Sequence, residues 1–180
     1  MSAPFRTIRP GSDEYPAYTA EYVSRVPDGD IVDILSRQIS ETMALLNSIP
    51  ESRADYKYQP EKWSIKEVVG HMGDAERVFS YRALRFSRGD TTPVEGFDEN
   101  TYVANSPFAR ASLANLTNEL EHIRRATIHL FANLDAAGME QRGLANGLDV
   151  SVRGLAFIIA GHESHHLNTL RTRYLKQKTE

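Results

Sequence analysis

The sequence contains no cysteine, little net charge and no long apolar run. Without cysteine the chain has no disulfides, no thiolate nucleophile of its own and no Cys-ligated metal or iron–sulfur cluster. The 21 Lys and Arg residues nearly balance 24 Asp and Glu residues, for a net charge of −3, so we expect no nucleic-acid partner. No stretch approaches the length of about 18 apolar residues that spans a membrane, so no membrane partner is expected either.

The composition is otherwise that of an ordinary globular chain, with 41% hydrophobic and 25% charged residues. The N-terminal stretch has no apolar segment of the secretory type, so we expect a cytoplasmic protein. Residues 1–28 hold four of the eight prolines and show no apolar period, which predicts an irregular arm. Residues 29–180 are expected to form a single domain, in which any metal site must use His, Asp or Glu.

Four amphipathic segments follow the arm and predict an all-α fold, a four-helix bundle. The first spans about residues 31–49. The second segment begins at a predicted capping box. In it the Ser64 side chain accepts the backbone N–H of Glu67, and the Glu67 side chain accepts the backbone N–H of Ser64. Trp63 precedes this box and is predicted to pack into the core as a hydrophobic staple. The alternative for Trp63 is an aromatic side chain at the mouth of a pocket.

The third segment is predicted to begin at Pro107 and has the most regular apolar row, with spacings of three and four over residues 113–134. The fourth runs from about residue 151 to 176. Between them, the turn dipeptide Asn146-Gly147 predicts a short hairpin before the last helix.

The connection formed by residues 89–108 is long for a helix bundle, and long loops are often functional. It combines the aromatic residues Phe97 and Tyr102 with the polar residues Asp98 and Asn100. We expect this loop to shape the entrance of a pocket. The alternative is a spacer that only crosses the end of the bundle.

Two histidines on the fourth segment have the spacing of metal ligands. His162 and His166 are four residues apart, so both project from one face of a helix. They continue the apolar row of that helix and therefore point inward. Two core histidines with ordinary hydrogen bonds are the alternative, but each neutral ring would then need partners for a donor and an acceptor. The pair favours a metal site.

The string from His162 to His166 also fits H-E-x-x-H, in which Glu163 would be the general base of a metalloprotease. This short motif is weakly specific. The extended metzincin form does not follow it, and no histidine occurs after His166. Any third histidine ligand must therefore come from an upstream helix.

His71 is the candidate for that third ligand. It lies on the inward side of the second helix, and Gly70 and Gly73 leave space beside it. Asp74 follows three residues later and is a candidate for orienting the ring or for acting as a general base. The alternative is a boundary histidine at the surface.

The remaining histidines are assigned no ligand role. His122 and His129 lie one residue off the apolar row of the third helix, so we expect them in solvent or at an interface. His165 lies beside the inward face and is expected at most to contact a ligand residue or to flank the pocket. Three histidine ligands would leave one coordination position open, which is the catalytic zinc pattern. Imidazole suits Zn, Ni and Fe alike, so the sequence does not select the metal.

The chain resembles the DinB superfamily, in its YfiT-like branch of metal-dependent hydrolases. The resemblance rests on YQPEKWSIKEVVGHMGDAERVFSYRALRFSRGD, on PVEGFDENTYV and on VSVRGLAFIIAGHESHHLNTLRTRYL, and it covers about residues 30–176. It implies an up-down-down-up four-helix bundle, often a homodimer. It also implies a divalent metal held by three histidines, which match His71, His162 and His166.

Characterised relatives implied by this resemblance include S-transferases that use low-molecular-weight thiols, and many members have no known activity. Our leading hypothesis is a metal-dependent transferase in which a thiol cosubstrate attacks a small electrophile. The first alternative is a hydrolase that activates water, with Glu163 or Asp74 as general base. The second is a non-catalytic dimeric stress protein whose metal is structural or absent.

Apolar residues outside the main rows of the first two helices predict a homodimer. Examples are Ile34 and Leu45 on the first helix, and Val69 and Leu84 on the second. Exposed apolar surface usually marks an interface, and two-fold pairing is the commonest solution. The alternative is that the arm of residues 1–28 covers this surface within one chain.

Overall fold

The computed structural model describes residues 3–176 and shows a helix bundle with one small sheet. The bundle consists of α2 (Ile31–Asn47), α3 (Ile65–Ser87), α5 (Leu113–Ala132) and α7 (Val152–Thr169). Short helices are α1 (Ala20–Ser24), α4 (Glu99–Asn105) and α6 (Ala136–Glu140), and β1 (Arg142–Ala145) pairs antiparallel with β2 (Leu148–Ser151). A π-helical turn, Leu170–Tyr174, continues α7, and 3₁₀ turns occur at Pro4–Thr7, Ala17–Thr19, Glu51–Arg53 and Phe108–Arg110.

The four long helices run up, down, down and up. One core cluster joins the first turns of α2 and α7 to the last turns of α3 and α5. A second cluster joins the opposite ends of the same four helices. Because α2 and α3 each pack on both α5 and α7, they lie diagonally across the bundle. The predicted all-α bundle is confirmed.

Two short motifs, the capping box before α3 and the turn between β1 and β2, form the local structures that the sequence predicts. The Ser64 side chain accepts the N–H of Glu67 at 3.3 Å, and the Glu67 carboxylate accepts the N–H of Ser64 at 2.6 Å. Asn146 and Gly147 both have positive φ, 54° and 73°, as a tight hairpin turn requires. The capping box and the hairpin are therefore present.

Two boundaries in the middle of the chain differ from the predicted ones. The third long helix begins at Leu113 rather than at Pro107, because Ser112 caps it by accepting the N–H of Asn115. The predicted loop 89–108 contains α4, which Asp98 caps. Seven residues are too few to show a clear helical period, so the sequence gives little signal for α4.

The arm is more ordered than predicted. It contains two 3₁₀ turns and α1, and α1 packs along α7. Gly161 allows this contact, because a Cβ atom there would lie 2.0 Å from the backbone oxygen of Tyr22. The boundary between arm and domain at residues 28 and 29 stays a prediction.

The substitution Gly161→Ala should loosen the arm. Alanine favours the helix itself, but its Cβ would meet α1 backbone that cannot rotate away, so α1 has to shift. We expect a loss of about 1–3 kcal/mol in the free energy of unfolding. The substitution should accelerate amide hydrogen exchange more in residues 17–26 than in α5. A variant with unchanged exchange there would contradict this packing.

The apolar residues that motivated the homodimer lie mostly inside the chain. Ile34, Leu45 and Val69 are buried in the two core clusters, and Ile34 shares its cluster with Val23 of the arm. Leu84 is 42% exposed. Most of the residues that motivated the dimer therefore cannot form an interface, because the arm and the bundle bury them within one chain. The homodimer stays a prediction, which sedimentation equilibrium tests.

No helix within residues 3–176 combines the length and the apolar character needed to cross a membrane.

Candidate metal centre

Three histidines from two helices meet inside the bundle. His71 comes from α3, and His162 and His166 come from successive turns of α7. The Nε2 atom of His162 lies 3.1 Å from Nε2 of His71 and 3.1 Å from Nε2 of His166. His71 and His162 are buried and His166 is half-buried. The sequence-predicted ligands are thus brought together in one cluster.

The spacing of these nitrogens fits a tetrahedral ion. Zinc at about 2.0–2.1 Å from imidazole nitrogens places two such ligands about 3.3 Å apart. All three candidate ligand atoms lie within 4.8 Å of one another. The Nε2 atom of His162 has either one proton or one lone pair, so it can form a hydrogen bond with only one of its two close neighbours. A cation would satisfy all three nitrogens at once.

Burial keeps these rings neutral. It lowers the pKa of His71 from 6.5 to about 4, with a smaller contribution from His165. Burial and the neighbouring imidazoles also hold the pKa of His162 and of His166 well below the usual value. Neutral imidazole is the form that binds metal ions. At neutral pH the cluster is therefore in the state that a metal requires.

The metal-free protein should lose stability in mild acid. The folded-state pKa of His71 is depressed, so its unfolded form takes up a proton first as pH falls below about 6.5, and the loss continues until pH reaches about 4. Between pH 7 and pH 5 this linkage amounts to about 2 kcal/mol for His71 alone. Urea unfolding in excess chelator at both pH values measures it.

The matched variant for this measurement is His71→Gln, which removes one titrating ring. Its stability should change less between pH 7 and pH 5 than that of the parent protein. Equal changes in the two proteins would contradict the buried, neutral state of His71.

An aromatic cavity of about 350 Å³ opens over the histidines. It is lined by residues from the arm, from α3 and the turn before it, from α4 and the loop before it, from the hairpin and from α7. These residues are Tyr18, Tyr22, Trp63, His71, Ala75, Phe79, Arg82, Gly96, Phe97, Glu99, Asn146, His162 and His166. Ligand sites of this size suit small molecules. The arm therefore contributes two tyrosines to the wall of the candidate site.

Trp63 takes the alternative place, at the cavity. Its ring centroid lies 4.7 Å from that of His71, and the side chain is half-buried against one core cluster. The prediction of Trp63 as a core residue holds only in part, because the ring packs against the core cluster on one side and lines the cavity beside His71 on the other. Phe97 from the loop 89–108 also lines the cavity, and its ring centroid lies 6.5 Å from that of Phe79.

Glu163 points away from the cavity into a buried ion-pair network. Its carboxylate accepts hydrogen bonds from Arg124 and Thr42. Arg124 also forms a bidentate ion pair with Glu76, with N···O distances of 2.7 and 2.8 Å. Arg124 is 1% exposed. These four side chains come one each from α5, α7, α2 and α3, so the network ties the four bundle helices together.

The sequence patterns do not reveal this network. They assign no role to Arg124, Glu76 or Thr42, since polar and charged residues in a helical pattern are usually solvent-exposed. The available signal was position, because Glu76 and Arg124 each lie next to an apolar row. That signal alone identifies no partners.

The other predicted polar residues lie outside the histidine cluster. The Asp74 carboxylate accepts a hydrogen bond from Arg77 at 3.3 Å, and burial raises the pKa of Asp74. The ring of His165 lies 5.1 Å from that of His166 and 5.4 Å from that of Tyr22. His122 and His129 are exposed, as predicted. Among residues 3–176, neither Asp74 nor Glu163 lines the cavity.

The bundle order and the three converging histidines define the class of this protein. The chain belongs to the DinB superfamily, whose family profile matches residues 34–170.

Particular relatives agree with this assignment. The chain is 25% identical over 139 residues to a protein of Oceanobacillus iheyensis named "Putative metal-dependent hydrolase", covering 76% of this chain and 77% of that protein. Among solved structures it resembles YfiT from Bacillus subtilis, described as "a probable metal-dependent hydrolase with an unusual four-helix bundle topology". That match has a TM-score of 0.70 and 13% identity and covers 98% of each chain. At this identity it shows the fold.

Proposed function

We propose that this protein is a divalent-metal-dependent enzyme that acts on a small molecule bound in the aromatic cavity. The observation that carries the proposal is the convergence of the Nε2 atoms of His71, His162 and His166 beside that cavity. Three protein ligands leave a coordination position for a reactant. A divalent ion held there would lower the pKa of a bound thiol or water and polarise an electrophile.

The residues of the cavity favour a thiol as nucleophile. A bound ion would activate water as well, but attack by water is also assisted by a general base within hydrogen-bond reach, and Glu163 and Asp74 are engaged with Arg124 and Arg77 instead. Within the described residues that line the cavity, the one carboxylate is the exposed Glu99 of α4. A thiol ionises far more readily than water, with an ordinary pKa of about 8.5, and depends less on a base.

The leading form of the proposal is therefore an S-transferase. The chain has no cysteine, so the thiol is a low-molecular-weight cosubstrate. Its sulfur forms a bond to an electrophilic carbon, and the leaving group departs with the bonding electron pair. Trp63, Phe79 and Phe97 exclude water from the reacting atoms and provide apolar surface to hold the electrophile.

A hydrolase is the second candidate, and the names of the relatives favour it. In that case Glu99 is the remaining candidate base among the described lining residues, provided that α4 moves it toward the histidines. The two reactions differ in one observable property, the requirement for a thiol.

The experiment compares a thiol-dependent with a thiol-independent reaction. The metal-loaded protein is incubated with 1-chloro-2,4-dinitrobenzene and a panel of small thiols, and separately with 4-nitrophenyl acetate without thiol. Conjugation that needs both metal and thiol supports the transferase. Ester cleavage without thiol that disappears in His162→Ala supports the hydrolase. Neither activity, with metal bound, would favour the non-catalytic dimeric module.

A further inference from the structure

Arg82 is a buried cation in the wall of the cavity. It belongs to α3, like His71, and it is 5% exposed. The two residues are eleven positions apart, which is close to three full helical turns. They therefore share one face of the helix, and about 16 Å of helix axis separates their Cα atoms.

The guanidinium group of Arg82 is only partly satisfied by the protein. Its Nη2 donates to the backbone oxygen of Glu95 at 2.8 Å, and its Nε is buried without a hydrogen-bond partner. Within residues 3–176 no carboxylate forms an ion pair with it. Burial lowers the pKa of Arg82, and among the neighbouring side chains the Tyr18 phenol partly counteracts that effect.

The other buried cations of the described chain all have carboxylate partners. Arg124 pairs with two glutamates in the core. Arg153 pairs with Glu14 at 3.2 Å, and Lys66 pairs with Asp55 at 3.2 Å. Burying a charge without such a partner is costly. Arg82 therefore differs from the other buried cations, because it has no carboxylate partner. Packing in the core does not explain this difference, since the guanidinium group of Arg82 lies in the wall of the cavity.

We propose that Arg82 binds an anionic group, a carboxylate, on the molecule that occupies the cavity. The proposal rests on the proposed function to the extent that a small molecule binds there. A planar carboxylate can accept two parallel hydrogen bonds from a guanidinium group, and the N–H of Nε is not used by any group of the described protein. The ligand is consequently elongated, with its carboxylate at Arg82 and its reacting group near the histidines.

The carboxylate can belong to the electrophile or to the thiol. Two probe pairs separate these sources by calorimetric titration. The first pair, 6-phenylhexanoate and 6-phenylhexanamide, has no thiol. The second pair, 6-mercaptohexanoate and 6-mercaptohexanamide, has one. A carboxylate preference in the first pair assigns the anion to the electrophile, and a preference confined to the second pair assigns it to the thiol.

We expect the carboxylate of at least one pair to bind about 10-fold or more tightly than its amide. Arg82→Gln should abolish this preference, and Arg82→Lys should retain part of it. Arg88→Gln is the matched control, because it removes an exposed arginine at the end of the same helix. No preference in either pair, or a preference that persists in Arg82→Gln, would overturn the proposal. If Arg82→Gln does not fold, a preference that is as large in Arg82→Lys as in the parent protein overturns it.

A carboxylate can also bind a metal ion, so each titration is repeated on chelator-treated protein and on His162→Ala. A preference that survives both treatments and disappears in Arg82→Gln belongs to Arg82. A preference that requires metal and ignores Arg82 contradicts the assignment. Absence of metal binding would defeat the proposed function while leaving the Arg82 measurement intact.

Discussion

Replacing Arg124 with methionine should destabilise the protein by roughly 3–5 kcal/mol. The substitution keeps much of the side-chain volume but leaves Glu76 and Glu163 buried, which are 4% and 2% exposed, without their cation. Removal of one partner from a buried ion pair is costly because the remaining charge has lost its compensation. Chemical denaturation at pH 7 measures the change in the free energy of unfolding.

The next residue along the chain provides the control. Arg125 is exposed and pairs with Glu121 within the same helix. Surface pairs of this kind contribute about 0–1 kcal/mol, so Arg125→Met should be nearly neutral. Equal and small effects of the two substitutions would show that the buried network does not hold the four helices together.

Replacing His162 with alanine should weaken metal binding by more than about 100-fold. Loss of a residue that merely orients a ligand costs about 10–100-fold, and His162 is proposed as a ligand itself. It is also the central ring, with both other Nε2 atoms at 3.1 Å. Competition titration of the metal-free protein with a chromophoric chelator gives the dissociation constants.

His129→Ala is the control for this prediction, since His129 is an exposed histidine on α5. Its metal affinity should equal that of the parent protein. An unchanged affinity in His162→Ala would remove this residue from the ligand set. An equal loss in both variants would indicate nonspecific binding by surface histidines.

The candidate ligands could be predicted because their geometry is largely local. His162 and His166 are four residues apart on one helix, so helical periodicity alone places them on one face. His71 could be identified as an inward residue, but its distance from the pair depends on how α3 packs against α7. The family resemblance supplied that tertiary step, and the structure supplies the distances.

Features that depend on tertiary packing were beyond the sequence patterns. The partners of Arg124 come from two other helices, α3 and α7, so no spacing along the chain reveals them. Short helices such as α1 and α4 have too few residues to show a period. The docking of the arm depends on a close approach of its backbone to Gly161. A single glycine in an apolar helix does not predict such a contact.

Metal analysis of the purified wild-type chain tests the central claim most directly. The protein is loaded with zinc, nickel or iron in turn, freed of excess metal by gel filtration, and measured by mass spectrometry and X-ray absorption. We expect about one ion per chain, bound by three imidazole nitrogens at about 2.0–2.1 Å for zinc. A chain that retains no more metal than the triple variant His71→Ala/His162→Ala/His166→Ala would contradict this expectation.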